Sequence, residues 1–181
     1  MDQCTEAEVQ RMLPLVSAQR RGQALRFRHT FGQFCCLKSW LMLSELMDEG
    51  MRELMDEWTY NEYGKPSFRP SPSASHPYFS ISHCKTGIAV AIDDVPIGID
   101  IEAIRHADAE LIARTMNDGE QQQIHSDRDF TRLWTRKEAV VKAQGTGIEG
   151  FEQLQNILSE CRNFDISTVE KENYIYSIAT S

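Results

Sequence analysis

Two acidic residues, Asp100 and Glu102, lie one residue apart in the segment Ile97-Gly98-Ile99-Asp100-Ile101-Glu102. Isoleucine alternates there with small or acidic residues, which predicts a β-strand over Ile97–Glu102. Side chains alternate across a strand. Gly98, Asp100 and Glu102 therefore share one face, and the isoleucines take the other into the core. Carboxylates held this close repel unless a cation joins them. Mg2+ suits the pair, since it takes oxygen ligands and accompanies phosphate substrates. The polar outer face of an edge strand would show the same pattern.

A second group falls on a predicted helix over Asp129–Gln144, capped by Asp129 and ended by Gly145 and Gly147. Phe130, Leu133, Trp134, Val140 and Val141 form its apolar stripe. Lys137 falls near the middle of that stripe. An unpaired buried lysine is costly, so Lys137 should have an anionic partner unless it snorkels to water. Glu138 falls at the stripe's edge, with Lys142 one turn later on the same side. That spacing also fits an ordinary surface ion pair. Ser82 and His83 close a short predicted strand, Tyr78–Ser82. A hydroxyl and an imidazole there can donate to a phosphate or simply pair with each other. A Ser-His hydrolase would need a nucleophile elbow, and no such motif accompanies them.

These residues must be positioned by their elements. A helix is expected over Thr5–Arg21, broken near Pro14, and a longer one over Ala24–Glu49 with Phe27, Phe31, Phe34, Leu37, Leu41 and Met42 on its apolar face. Residues 64–77 carry Pro66, Pro70, Pro72 and Pro77 and read as a loop. A strand at Gly87–Asp93 precedes Ile97–Glu102. Helices are expected at Ala107–Met116 and Gly119–Ile124. The tail reads as strands at Asn156–Leu158, Asn163–Val169 and Tyr174–Ala179. Helices then strands, twice over, predict an α+β fold of two similar halves, 1–95 and 96–181, with a site at their junction.

The chain has 181 residues, 41% of them apolar, enough to bury a core without staples. Its formal net charge of −8 argues against nucleic acid as a partner. Arg20, Arg21, Arg26, Arg28, His29 and Lys38 nevertheless crowd one stretch, as a solvated helix face or as a local anion site. Five cysteines with no C-x-x-C spacing point away from disulfides and zinc and towards a reducing cytoplasm. No leader-like start and no membrane-spanning apolar run are evident, so a soluble, cytoplasmic protein is expected.

Four segments together resemble the 4'-phosphopantetheinyl transferase superfamily. They are Gly64-Lys65-Pro66, Phe79-Ser80-Ile81-Ser82-His83, Ile97 to Glu102, and Trp134-Thr135-Arg136-Lys137-Glu138-Ala139-Val140-Val141-Lys142 with Gly145 after it. The last two are the specific ones. The first two are similar to the longer, surfactin-type (Sfp-like) branch, in which one chain carries two pseudo-symmetric halves. Each half is a small antiparallel sheet packed with helices. The sequence departs from the usual pattern at Ser67, which separates Lys65-Pro66 from the aromatic Phe68.

The resemblance implies transfer of 4'-phosphopantetheine from coenzyme A to a serine of an apo acyl or peptidyl carrier protein, releasing 3',5'-ADP. It implies that Asp100, Glu102 and Glu138 ligate Mg2+, with Mn2+ as the other candidate ion. Glu138 and Lys142 would be catalytic. Lys137 and Lys142 would hold phosphate oxygens, Ser82 and His83 would contact the coenzyme A phosphates, and Lys65 and Pro66 would border the adenine. A basic residue near the N-terminal helix, here Arg28, would face the coenzyme. The 1–95 half would be the coenzyme A side and the 96–181 half would carry Mg2+. A chain with both halves needs no partner subunit to build its site, so a monomer is expected. The carrier would dock on the basic stretch at Arg20–Arg28 or on an apolar patch around Met116. The alternatives are a Mg2+-dependent phosphohydrolase and a non-catalytic coenzyme A-binding module.

Overall fold

The computed structural model describes residues 4–69, 76–148 and 150–181. Helix α1 (Glu6–Met12) starts at Thr5, whose side chain accepts from the Glu8 N–H. Pro14 ends regular helix in a 3-10 turn at Leu13–Leu15, because it has no N–H to continue the ladder. Two helices follow, α2 (Ala18–Ala24) and α3 (Thr30–Leu46). The single helix expected from Ala24 to Glu49 is thus divided. The Phe27 carbonyl is taken by the Gln33 side chain at 2.9 Å, outside any helical ladder. The Phe27 ring folds back over Gly32 and is 45% exposed, so it does not belong to the buried stripe. Phe34, Leu37, Trp40 and Leu43 of α3 form the first core with Phe79, Trp58 and Phe68.

A 3-10 segment, Glu49–Asp56, leads into two antiparallel hairpins. Strands β1 (Trp58–Tyr60) and β2 (Pro66–Phe68) pair first, then β3 (Tyr78–Cys84) and β4 (Gly87–Asp93). Strand β2 lies inside the stretch read from its prolines as loop. Pro66 opens the strand, a position that tolerates a residue without an N–H. Pro70 and Pro72 lie outside the described residues.

The chain goes on with β5 (Ile97–Ala103), α4 (Ala109–Thr115), α5 (Asp118–Gln121), α6 (Asp127–Gln144) and α7 (Phe151–Glu160). Strands β6 (Asp165–Glu170) and β7 (Tyr174–Thr180) complete a three-stranded antiparallel sheet in the order β5-β7-β6. The strand expected at Asn156–Leu158 is instead part of α7. Phe151, Leu154 and Leu158 recur there at helical spacing and pack on the second core. Helix α6 starts two residues earlier than expected and is capped by Ser126. The Ser126 Oγ accepts from the Asp129 N–H at 3.2 Å, and the Asp129 carboxylate accepts in return from the His125 N–H and the Ser126 hydroxyl. Gly145 ends α6 in the left-handed region at φ 74°, where glycine costs least. Among the described residues no helix is long and apolar enough to cross a membrane.

Two contacts fix how the elements around β5 meet. A Cβ at Gly98 would lie 1.9 Å from the Ala139 carbonyl oxygen and 2.4 Å from the Ala143 nitrogen. Helix α6 therefore rests directly on the face of β5 that carries Asp100. Among the described residues the outer edge of β5 has no strand partner. Its Ile99 and Ile101 N–H groups donate instead to the hydroxyls of Ser80 and Ser82, at 3.0 and 3.3 Å. Two serines on one face of β3 thus stand in for backbone acceptors and join the hairpin sheet to the β5 sheet. Ala91, Ile97 and Ile99 form a small third core at that seam.

Candidate active site

Asp100 lies at the seam, 4% exposed, with β3 on one side and α6 on the other. Its Oδ1 accepts from the Lys142 ammonium at 2.6 Å and from the Ser82 hydroxyl at 2.9 Å. Its Oδ2 is buried and has no hydrogen-bond partner among the described residues. An orphaned carboxylate oxygen in a protein interior is costly and calls for a donor or a cation. Ser82 has one hydrogen to give and two lone pairs to receive. The hydrogen goes to Asp100, and the lone pairs receive the Ile101 N–H and the Lys142 ammonium at 3.0 Å. Its capacity is spent inside the protein. The hydroxyl thus bridges Asp100 and Lys142.

Glu138 reaches the same cluster from α6. Burial first, and then the charge of Asp100, push its carboxyl up to about 7. Glu102, on the same face of β5 as Asp100, is raised for the same two reasons in the same order. Lys142 and Arg105 pull both carboxyls back. The three carboxylates therefore feel one another, although among the described residues no group of three is drawn together at ligand spacing. The donor set is oxygen only, as a hard divalent cation requires. With an orphaned Oδ2 and two carboxyls raised by burial and then by like charge, these residues fit such an ion.

Arg105 is the residue here that sequence reasoning missed. Its guanidinium lies 4.5 Å from the Trp134 ring and 5.6 Å from that of Phe130, with a buried Nε that has no hydrogen-bond partner among the described residues. A lone basic residue just past the end of the predicted strand carries no periodic signal that would have singled it out.

A cleft of about 310 Å3 opens beside Glu138 and Lys142, walled by Lys65, Pro66, Ser80 and Gly145. Residues of both halves line it. The Lys65 ammonium donates to the carbonyls of Ile97 and Ala143, at 3.1 and 3.4 Å, and burial lowers its pKa to about 8. His83 points away from Ser82 on the opposite face of β3, with its ring edge-on to Phe31 of α3 at 6.0 Å. Desolvation and, after it, the charge of Lys142 lower its pKa. Arg28 is exposed in the turn just before α3.

Lys137 departs from expectation. It is fully buried, paired with Glu120 at 2.6 Å, and it donates to the carbonyls of Leu154 and Gln155. The partner that its place in the stripe demands is this carboxylate, so the expected role on phosphate oxygens is corrected. Burial lowers the Lys137 pKa and Glu120 opposes the shift. Two residues of the expected docking features are corrected as well, while Arg21, Arg26 and Arg28 of the basic stretch are exposed. Arg20 is 5% exposed, with its guanidinium 4.4 Å from the Trp40 ring and bonded to the Cys36 carbonyl. Met116 is fully buried in the second core. Neither is available to a docking partner.

Known proteins are similar to this chain in sequence. The family model of the 4'-phosphopantetheinyl transferase superfamily matches residues 96–179. The chain is similar to the 4'-phosphopantetheinyl transferase psf-1 of Bacillus pumilus, 31% identical over 170 residues, covering 88% of this chain and 71% of that protein. It is similar to the 4'-phosphopantetheinyl transferase Sfp of Bacillus subtilis, 29% identical over 152 residues, covering 80% of this chain and 66% of that one. The 4'-phosphopantetheinyl transferase AcpT of Salmonella typhi is 37% identical over 117 residues, covering 59% of this chain and 58% of its own. The chain thus spans 71% of the psf-1 protein and just under two thirds of Sfp. With helices packed on small antiparallel sheets, and a relative of this identity matched over most of both chains, the protein belongs to the 4'-phosphopantetheinyl transferase superfamily, in its Sfp-like branch.

Proposed function

We propose that this protein transfers the 4'-phosphopantetheine group of coenzyme A to a serine of an apo acyl or peptidyl carrier protein. The observation that carries the reading is the meeting of Asp100, Glu138 and Lys142 where α6 packs on β5, beside an open cleft. Asp100, Glu102 and Glu138 would hold Mg2+, or Mn2+ in its place. When bound, the ion would neutralise charge on the pyrophosphate of coenzyme A. The 1–95 half is read as the coenzyme A side and the 96–181 half as the carrier of the metal ligands. The site draws on one chain only, which supports a monomer, and the five free cysteines suit a reducing cytoplasm.

The step is a displacement at phosphorus. The carrier serine oxygen forms a bond to the β-phosphorus, and the bond from that phosphorus to the bridging oxygen breaks. The leaving 3',5'-ADP keeps the bridging oxygen. Glu138 takes the serine proton, a task suited to a carboxyl poised near neutrality. Lys142 offsets or protonates the leaving phosphate. His83, exposed and edge-on to Phe31 at the start of α3, would face the coenzyme phosphates with Arg28. Lys65 and Pro66 form the wall along the adenine.

Ser82 then acts through Asp100 and Lys142. Ser82→Ala should lower kcat about tenfold and leave the coenzyme A affinity within about twofold. An affinity loss as large as the loss in kcat would instead make Ser82 a direct ligand. The reaction itself is tested by chromatography of the nucleotide product. Release of 3',5'-ADP should require both a divalent ion and an apo carrier. Release without a carrier would point to a phosphohydrolase, and binding without any release would point to a coenzyme A-binding module.

A further inference from the structure

We infer that Asn61 is a positioning residue for coenzyme A, because its carboxamide clasps the β1–β2 turn of the first half to the loop after α6 in the second. The inference rests on the transferase reading above. Asn61 belongs to no motif considered so far, and it lies 84 residues from its partner in the other half.

The geometry assigns both ends of the carboxamide. Oδ1 accepts from the Tyr63 N–H at 3.0 Å and from the Lys65 N–H at 2.8 Å. The backbone closes the same turn, with the Asn61 N–H donating to the Lys65 carbonyl and the Gly64 N–H to the Asn61 carbonyl. Asparagine is suited to such a turn because its side chain imitates a backbone acceptor. Nδ2 donates to the Gly145 carbonyl at 2.7 Å. That carbonyl is at the end of α6, where helical partners run out. One side chain therefore shapes the Gly64-Lys65-Pro66 turn and ties it to the far wall of the cleft.

Two further contacts fall on the same line. The Lys65 ammonium reaches the carbonyls of Ile97 and Ala143. A Cβ at Gly147 would lie 3.1 Å from the Cβ of Tyr63, so the loop and the turn are in close contact. Tyr63, Gly64, Lys65 and Pro66 on one side and Gly145, Gly147 and Ile148 on the other line the cleft. Loosening the clasp would let these walls part. That would weaken binding without touching Asp100, Glu138 or Lys142.

Two variants of the full chain separate the roles. Asn61→Asp keeps an acceptor for Tyr63 and Lys65 but sets a carboxylate oxygen against the Gly145 carbonyl. Asn61→Ala removes both functions. Hydrogen exchange of backbone amides and steady-state kinetics would be measured for each. For Asn61→Asp we expect slow exchange kept at Tyr63 and Lys65, faster exchange over 146–148, and a KM for coenzyme A raised about fivefold with kcat within about twofold. Asn61→Ala should speed exchange in both segments and raise KM at least as much. Unchanged exchange over 146–148, or an unchanged KM in both variants, overturns the inference. A parent chain that neither binds nor uses coenzyme A sinks the transferase reading itself, and the exchange data then decide on the clasp alone.

Discussion

Glu138→Gln should lower transfer roughly a thousandfold while leaving a folded chain, since it removes both a proton acceptor and an oxygen ligand. The effect on stability has a definite sign. In the metal-free protein the Glu138 carboxyl is raised from 4.5 to about 7. Between those two values the folded chain holds a proton that the unfolded chain has lost. Stability therefore falls as pH rises from about 4.5 to about 7, and the cost is fully present above 7. Glutamine carries no such cost. Metal-free Glu138→Gln should unfold at a higher urea concentration than the parent at pH 8, by roughly 1–3 kcal/mol once partial solvation is allowed for. The difference should vanish near pH 4.5. A ligand must also be deprotonated to bind an ion, so the parent's Mg2+ affinity should weaken as pH drops through about 7. Near-parental turnover by the variant would remove Glu138 from the mechanism.

Gly98→Ala should be the most damaging single-methyl change in the second half. The atoms a new Cβ would meet, the Ala139 oxygen and the Ala143 nitrogen, are backbone. No side chain can turn away to make room, so α6 would have to lift from β5. That helix carries Glu138 and Lys142, and β5 carries Asp100. Stability and activity should fall together, with a loss above about 4 kcal/mol in urea unfolding or no folded protein at all. Gly22→Ala is the control. Among the described residues nothing lies within 4 Å of a Cβ there, at an exposed position of α2, and the same methyl should be neutral or stabilising by about 0.5–1 kcal/mol. Equal stability of the two variants would contradict the close approach of α6 to β5.

The alternation in Ile97–Glu102 and the stripe in α6 were readable because each follows the period of its own element. They placed Asp100 and Glu102 on one strand face and put Glu138 and Lys142 on one side of one helix. The misfit of Lys137 was readable too, but its partner was not. Glu120 sits on a short helix whose position against α6 is a tertiary fact. Strands β1 and β2 have three residues each, too few for a period to show. Helix α7 was misread at Asn156–Leu158 because a short window catches neighbouring apolar residues and misses the wider spacing of Phe151, Leu154 and Leu158. The work of Ser80 and Ser82 at the free edge of β5 depends on how two sheets meet. So does the clasp at Asn61, whose partner is distant in sequence.

Mixing an apo acyl carrier protein with this protein, coenzyme A and Mg2+, and then recording the carrier's intact mass, tests the central claim most directly. We predict a gain of one phosphopantetheine on the carrier serine, lost when EDTA is added and lost with Glu138→Gln. A carrier mass that stays unchanged across fatty-acid, polyketide and peptide carriers, with coenzyme A bound throughout, would contradict the claim.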